Sequence, residues 1–278
     1  MKELFDDISI GTSTLLTRRY STSFSLGIRL LHSCLRDSIY SIYGFVRLGD
    51  EIVDSFSGFD QKKLFSRFKE DVNAAINDKI SLNPILNSFQ HVVHQYQLDR
   101  ELIDTYINSM ELDLYKTKYE TEGYKKYILG SAEVVGLMCL KVFCEGDHEK
   151  YDKLKEPAMK LGSAYQKINF LRDIKADYIT LGRSYFPDID MEKFNDAEKK
   201  KIEKDIENDF KDGLKGIRML PATSQFGVYL SYVYYYALFK KVKLIPASVL
   251  MKQRIRIPNY RKYFLLLWAW ARFKLGFI

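Results

Sequence analysis

Apolar residues recur at helical spacing along nearly the whole chain, and this periodicity constrains the fold more than any other feature. Leu26, Leu30 and Leu31, then Ile39, Ile42, Tyr43 and Val46, follow the i, i+3, i+4, i+7 rule of a helix with one buried face. Similar stripes run through 102–119, 134–143 and 161–174. The period-2 alternation of a half-buried strand persists nowhere. With 15 glycines and 6 prolines in 278 residues, few positions interrupt a helix. The pattern predicts an all-α fold of about ten to twelve helices in a single domain over residues 1–278.

Local chemistry suggests the boundaries. Ser81 ahead of Asn83-Pro84, and Asp188-Ile189-Asp190 after Pro187, are helix-start signals. Breaks are expected near 55–60, 78–84, 146–149 and 180–190. The highly charged segment 191–212 reads as a solvated helix face. The longest uncharged run, 219–239, contains Pro221, Thr223, Ser224, Gln225 and several tyrosines. A bilayer span needs about 20 predominantly apolar residues, so this run reads as a buried core helix.

The net charge of +7 favours anionic partners. A nucleic-acid reading would rest on that charge alone, with no basic face interleaved with stacking aromatics, so no nucleic acid is expected. Cys34, Cys139 and Cys144 form no C-x-x-C pair and read as buried apolar thiols in a reducing compartment. The acidic start MKELFDDISI is not a secretory signal, which points to the cytoplasm. The basic stretch 254–262 runs into the aromatic and aliphatic stretch 263–271. It suggests either peripheral contact with the inner face of the membrane or an amphipathic closing helix.

Chemistry concentrates in two segments. Arg47-Leu48-Gly49-Asp50-Glu51-Ile52-Val53-Asp54 and Arg172-Asp173-Ile174-Lys175-Ala176-Asp177 each carry D-x-x-x-D after an arginine, inside an apolar stripe. On a helix, i and i+4 share a face, so Asp50 with Asp54, and Asp173 with Asp177, present paired carboxylates. Like charges at that spacing are destabilising, and a hard divalent cation is the natural compensation. The alternative is two solvated acidic faces paired with Arg47, Arg172 or Lys175. The apolar surroundings weigh against it. Gln166 and Asn169 continue the second motif's stripe as a polar seam on a face that should be buried. His91 and His94, at i, i+3, lack a third metal ligand.

With these motifs in view, the chain resembles the phytoene/squalene synthase family over nearly its whole length. The resemblance rests on Tyr20-Ser-Thr-Ser-Phe-Ser-Leu, on 43–54, on 110–119 and 127–136, on 166–177, on Gly182-Arg-Ser-Tyr-Phe-Pro187 and on Arg254-Ile-Arg-Ile-Pro258. It implies an isoprenoid-synthase helical bundle around a central cavity, and head-to-head joining of two isoprenyl diphosphates. Asp50, Asp54, Asn169, Asp173 and Asp177 would hold Mg²⁺, with Mn²⁺ as a substitute. Arg47, Arg183 and Tyr185 would contact diphosphate oxygens, and Ser21, Ser23 and Tyr43 would line the site. Gln166 would steady its metal end, Val135 and Gly136 would form a small-residue kink beside the prenyl chain, and Phe24 and Ile28 would face that chain. Asp113, with Lys118 and Tyr119, is a candidate for the diphosphate region or for a surface ion pair. Phe24, Tyr40, Tyr43 and Phe45 are candidate cation-stabilising aromatics.

Two departures stand out: Tyr20-Ser21-Thr22-Ser23 where relatives carry other residues, and Glu133 where glycine is common. Geranylgeranyl diphosphate is the expected substrate and phytoene the product, because no reductive domain or C-terminal anchor is evident. Dehydrosqualene or squalene from farnesyl diphosphate is the alternative, with NADPH needed only for squalene. A reading of another class, a non-catalytic isoprenoid binder, would need the cavity but not both carboxylate pairs. The oligomeric state is unassigned.

Overall fold

Four helix starts in this chain are set by short polar side chains that satisfy the first free backbone amides. Ser21 accepts from the amide of Phe24 (3.2 Å), Asp60 from Lys63 (3.0 Å) and Asn83 from Ile85 (3.0 Å). Asn195 and Glu198 form a reciprocal capping box. A computed structural model describes residues 1–115, 119–175, 177–178, 182–187, 189 and 193–278. Among them are thirteen α-helices and no strand. The first six are α1 (Lys2–Tyr20), α2 (Thr22–Arg29), α3 (Ser33–Asp54), α4 (Gln61–Asp78), α5 (Pro84–Gln95) and α6 (Arg100–Leu112). Then come α7 (Thr121–Ile128) and α8 (Val134–Cys144), joined without a break by a π-helical turn, Leu129–Glu133. The remainder are α9 (His148–Lys175), α10 (Asp196–Met219), α11 (Ala222–Lys243), the single turn α12 (Ala247–Leu250) and α13 (Asn259–Lys274).

The helices share one large apolar core, and a smaller cluster of Leu137, Leu140, Cys144, Tyr151 and Leu154 joins α8 to α9. Phe45 of α3 stacks on Phe89 of α5 (centroids 3.9 Å apart) and contacts Tyr106 of α6 (5.1 Å). Two crossings need glycine. A Cβ on Gly227 of α11 would lie 2.5 Å from Leu31 and 2.7 Å from the carbonyl of Gly27 in α2. One on Gly162 of α9 would lie 2.7 Å from the carbonyl of Ala132 in the π turn.

Several sequence expectations need correction. Asn83, not Ser81, caps α5, and Ser81 Oγ accepts from the Asn83 amide instead (3.2 Å). The break before α9 starts earlier, at Glu145, whose left-handed φ of 48° ends α8. The helix count exceeds the expected range, partly because α12 is too short to leave a periodic signature. Segment 191–212 is not simply a solvated face: in α10, Lys199 and Glu203 are buried as a pair, and Asp209 is buried against Lys167 of α9 (2.7 Å) and Ser163 (2.8 Å). Cys34 is exposed, Cys139 half-buried and Cys144 buried, and all three are free. The uncharged run 219–239 is not one helix: Met219 ends α10, Leu220 and Pro221 form the connection, and only 222–239 lie in the core helix α11. The stretch long and apolar enough to cross a membrane by length and composition is 121–144, and 56% of its most apolar window is buried within the bundle. Asp188 and Asp190, most of the expected break at 180–190, and Lys118 lie outside the described residues.

Candidate active site

A large cavity of about 520 Å³ runs through the bundle, lined by α2, α3, the π turn, α8, α9, α10 and α11. Its lining on α3 runs from Ile39 to Asp54, roughly 22 Å at 1.5 Å per residue. Leu140, Phe143, Leu154 and Leu220 are among its apolar lining, and the aspartates and arginines gather where α3 and α9 end. The shape is a deep greasy slot with a charged opening.

Both aspartate motifs line this cavity. Asp50 and Asp54 occupy the last turn of α3. Asp173 lies in the last turn of α9, while Asp177 sits just past that helix in a π-type turn, so the second pair is not held on one regular α-helix as its spacing implies. Burial, then the Asp54 charge, pushes Asp50 up to about 7, with Arg47 opposing. Burial, then Asp173 and Asp54, pushes Asp177 up to about 7. Arg183 ties the two motifs together: its backbone amide donates to the Asp177 carbonyl (2.8 Å) and its guanidinium donates to Asp54 (2.6 Å).

Cations surround the acids unevenly. Arg47 stacks over the Tyr20 ring (4.2 Å), pairs with Glu51 and reaches Asp50 at 3.9 Å. Asp173 is clasped on two sides: Arg172 Nε donates at 2.9 Å, and Arg254 binds both carboxylate oxygens at 2.6 and 3.1 Å. Arg183 is buried behind the site rather than lining it. It donates to Asp54 (2.6 Å) and to the carbonyls of Val53 (3.0 Å) and Asp113 (3.1 Å). It holds Asp54 of the first motif in place.

Asp113 is buried, not on the surface. It accepts from the hydroxyls of Tyr127 (2.6 Å) and Tyr119 (2.9 Å), and burial, opposed by Arg183, raises it to about 6. Tyr185 lines the cavity and stacks on Phe170 (4.0 Å). Burial, then Tyr235, keeps the Tyr43 hydroxyl protonated well above its usual range.

Of the other expected residues, Ser21, Phe24, Ile28, Tyr43, Val135, Gly136, Gln166 and Asn169 all line the cavity. Ser23, half-buried on α2, is not among the lining residues. Tyr40 and Phe45 belong to the core instead. The backbone irregularity expected at Val135–Gly136 lies just before them, in the π turn. Glu133 is not in the lining either; its neighbours are Lys160, Lys167 and Asp209. His91 faces Asp6 (3.0 Å) and His94 the carbonyl of Ile76 (2.9 Å), a structural use of both.

Of the aromatic box around Phe24, sequence reasoning named Phe24 and Tyr43 (5.8 Å) but missed Tyr165 (6.1 Å) and Tyr235 (5.5 Å). It also missed the clasp of Arg254, whose signal lay only in the quoted Arg254–Pro258 segment.

The donor set suits a hard cation. Every potential ligand is oxygen, and Asn169 Oδ1 is buried with no hydrogen-bond partner. Among the described residues no three acidic, histidine or cysteine side chains converge tightly enough to enclose an ion alone. Magnesium characteristically takes one or two carboxylates and completes its shell with water and substrate phosphate, which this opening allows.

Comparison with known proteins gives the same direction. A family model described as squalene/phytoene synthase matches residues 17–261. A 4,4'-diapophytoene synthase of Staphylococcus haemolyticus is 27% identical over 195 residues, covering 68% of this chain and 66% of its own. A 15-cis-phytoene synthase of Synechocystis is 26% identical over 294 residues, covering 92% and 83%. A dehydrosqualene synthase crystal structure superposes with a TM-score of 0.82 at 20% identity, over 97% of this chain and 98% of that one. A squalene synthase from Alicyclobacillus acidocaldarius gives 0.73 at 22%, over 85% and 93%. The two solved structures share the all-α fold.

Proposed function

The chain belongs to the squalene/phytoene synthase family, whose members are prenyltransferases, and we propose that it joins two molecules of geranylgeranyl diphosphate head to head into phytoene. One observation carries this reading: two aspartate pairs from distant segments line the charged opening of one long apolar cavity and are bridged there by Arg183. An isoprenoid carrier needs the slot but has no use for four carboxylates at its opening.

Asp50, Asp54, Asn169, Asp173 and Asp177 would hold Mg²⁺, which when bound supplies positive charge to the departing diphosphate. The chain's own residues account for the rest. Arg47, Arg172 and Arg254 stand at the opening, where negative charge builds as the allylic carbon–oxygen bond breaks. Asp173 is engaged by two guanidiniums, so Arg254, exposed by half, is free to exchange its carboxylate partner for diphosphate oxygens. Beyond the opening, the apolar walls exclude water that would quench the allylic cation. The faces of Phe24, Tyr165 and Tyr235 supply electron-rich surface to that cation. The cation alkylates the second substrate's double bond, and loss of a proton from the attacking carbon closes the ring of a cyclopropyl diphosphate. A second ionisation, rearrangement and loss of a proton complete the product, with two diphosphates released. A reduced product would require hydride from NADPH instead of proton loss.

A C15 reading, dehydrosqualene or squalene from farnesyl diphosphate, has support of the same grade from the Staphylococcus relative. Incubation with each diphosphate, with and without NADPH, and mass analysis of the hydrocarbon separates the readings. A C40 product from the C20 substrate supports phytoene synthesis, and a C30 product formed in preference overturns it.

A further inference from the structure

The last helix carries apolar residues on the face it does not bury. Leu265, Leu266, Ala269 and Phe273 of α13 form its inner stripe, with Phe273 against Phe226 of α11 (4.9 Å). A helix packed on one side should be polar on the other. Instead Tyr263, Phe264, Leu267, Trp268 and Trp270 stand 50–70% exposed, and Leu275 and Phe277 extend the patch beyond the helix. Apolar surface of this extent marks a contact face.

The charge distribution names the partner. Residues 251–278 hold seven of the chain's 43 lysines and arginines and none of its 36 acidic residues. The first 250 residues are therefore balanced, 36 against 36, and the whole +7 resides in this terminal segment. Arg261 and Lys262 flank one end of the exposed aromatics and Arg272 and Lys274 the other, with Arg272 over the Trp268 ring (4.9 Å). Basic residues bracketing exposed Trp, Phe and Leu are the composition of a helix seated at a lipid–water interface. A second copy is the poorer occupant, because a two-fold contact would oppose two equally basic, acid-free faces. With 16 residues, α13 is shorter than the roughly 20 needed to span a bilayer, so it lies in the membrane plane.

We propose that α13 and the basic segment before it form a docking surface for an anionic lipid bilayer. The surface borders the charged opening of the cavity: Arg254 clasps Asp173, and Lys262 donates to Thr22 Oγ1, next to the cavity-lining Ser21. Docking stands or falls independently of the reaction, since vesicle binding and turnover are read separately.

Both tryptophans of the chain, Trp268 and Trp270, are in α13, so intrinsic fluorescence reports this helix alone. The full-length protein is titrated with vesicles of phosphatidylcholine, alone or mixed with phosphatidylglycerol, with and without brominated acyl chains. The expected result is a blue shift and bromine quenching on the anionic vesicles, weakening as salt is raised, and much less on phosphatidylcholine. Arg272→Glu with Lys274→Glu should lower the partition coefficient about tenfold or more, with circular dichroism and turnover of detergent-dispersed substrate unchanged. Leu267→Ser should lower it on both vesicle types. Absence of quenching on anionic vesicles overturns the proposal, as does binding indifferent to lipid charge and salt. A stable dimer that Leu267→Ser dissolves, with tryptophans unquenched by lipid, would also overturn it and assign the face to a second copy.

Discussion

The two aspartate motifs look alike in sequence but sit in opposite electrostatic surroundings. Asp50 is crowded by Asp54, whereas Asp173 is satisfied by Arg172 and Arg254. Asp50→Ala should lower turnover about a hundredfold or more while raising metal-free stability, because it removes a half-buried, repelled carboxylate. Asp173→Ala should lower turnover as much but lower metal-free stability by about 1 kcal/mol, leaving two guanidiniums unpaired. That loss corresponds to a melting-temperature drop of roughly 2–4 °C. Thermal melts in chelator read the opposite signs, and equal shifts in one direction would contradict the assignment. The spacing of each pair was legible in the sequence. The unequal neutralisation was not, since Arg254 reaches Asp173 across 81 positions.

Asp113 gives a pH test at the same scale. Its folded pKa of about 6 lies above the ordinary value of 3.8. Its contribution to stability is therefore full below about 3.8 and is lost as pH rises through about 6. Asp113→Asn has no proton to lose. The melting temperature of the variant minus that of the native protein should become more positive from pH 5 to pH 8, and a difference flat across that range would contradict it.

At the scale of elements, α2 and α11 cross closely enough to shape the slot between them. Gly227→Ala would press a methyl against Leu31 and the Gly27 carbonyl, costing about 1–3 kcal/mol by overpacking. A melting temperature unchanged by the substitution would mean that the crossing has room. One turn from Phe24 on α2, Ile28 lines the cavity and is branched and stiff at χ1. Ile28→Phe should shift preference from the C20 to the C15 diphosphate, because each isoprene unit buries five carbons at about 0.8 kcal/mol per CH₂. Competition of both substrates in one tube reads the shift, and an unchanged product ratio would mean that Ile28 does not limit the chain. Helical periodicity made α2, α3 and the α11 core run visible in advance. It misjudged α10, where Lys199–Glu203 and Asp209–Lys167 are buried as pairs. Hydropathy reads such residues as solvent-facing: the partner of Asp209 lies on α9 and leaves no mark in a local pattern, and the i, i+4 spacing of Lys199 and Glu203 does not reveal that the pair is buried.

For the whole molecule, long-range convergence is what the sequence carried least. Phe24, Tyr165 and Tyr235 come from three helices, and nothing local distinguishes these tyrosines from ordinary core residues. Arg183 was visible as a motif residue, yet its place behind Asp54 follows from the fold alone. The all-α class and both aspartate pairs were legible because their signals lie within a few turns of one helix. The central claim is that the cavity ionises an allylic diphosphate and joins two prenyl chains head to head. Its most direct measurement is simultaneous release of inorganic pyrophosphate and hydrocarbon by the purified chain given geranylgeranyl diphosphate and Mg²⁺. The account predicts two pyrophosphates per C40 hydrocarbon, abolished by chelation and by Asp50→Ala. Pyrophosphate release with only monomeric prenyl alcohol as product, or no release from the C20 or the C15 substrate, would contradict it.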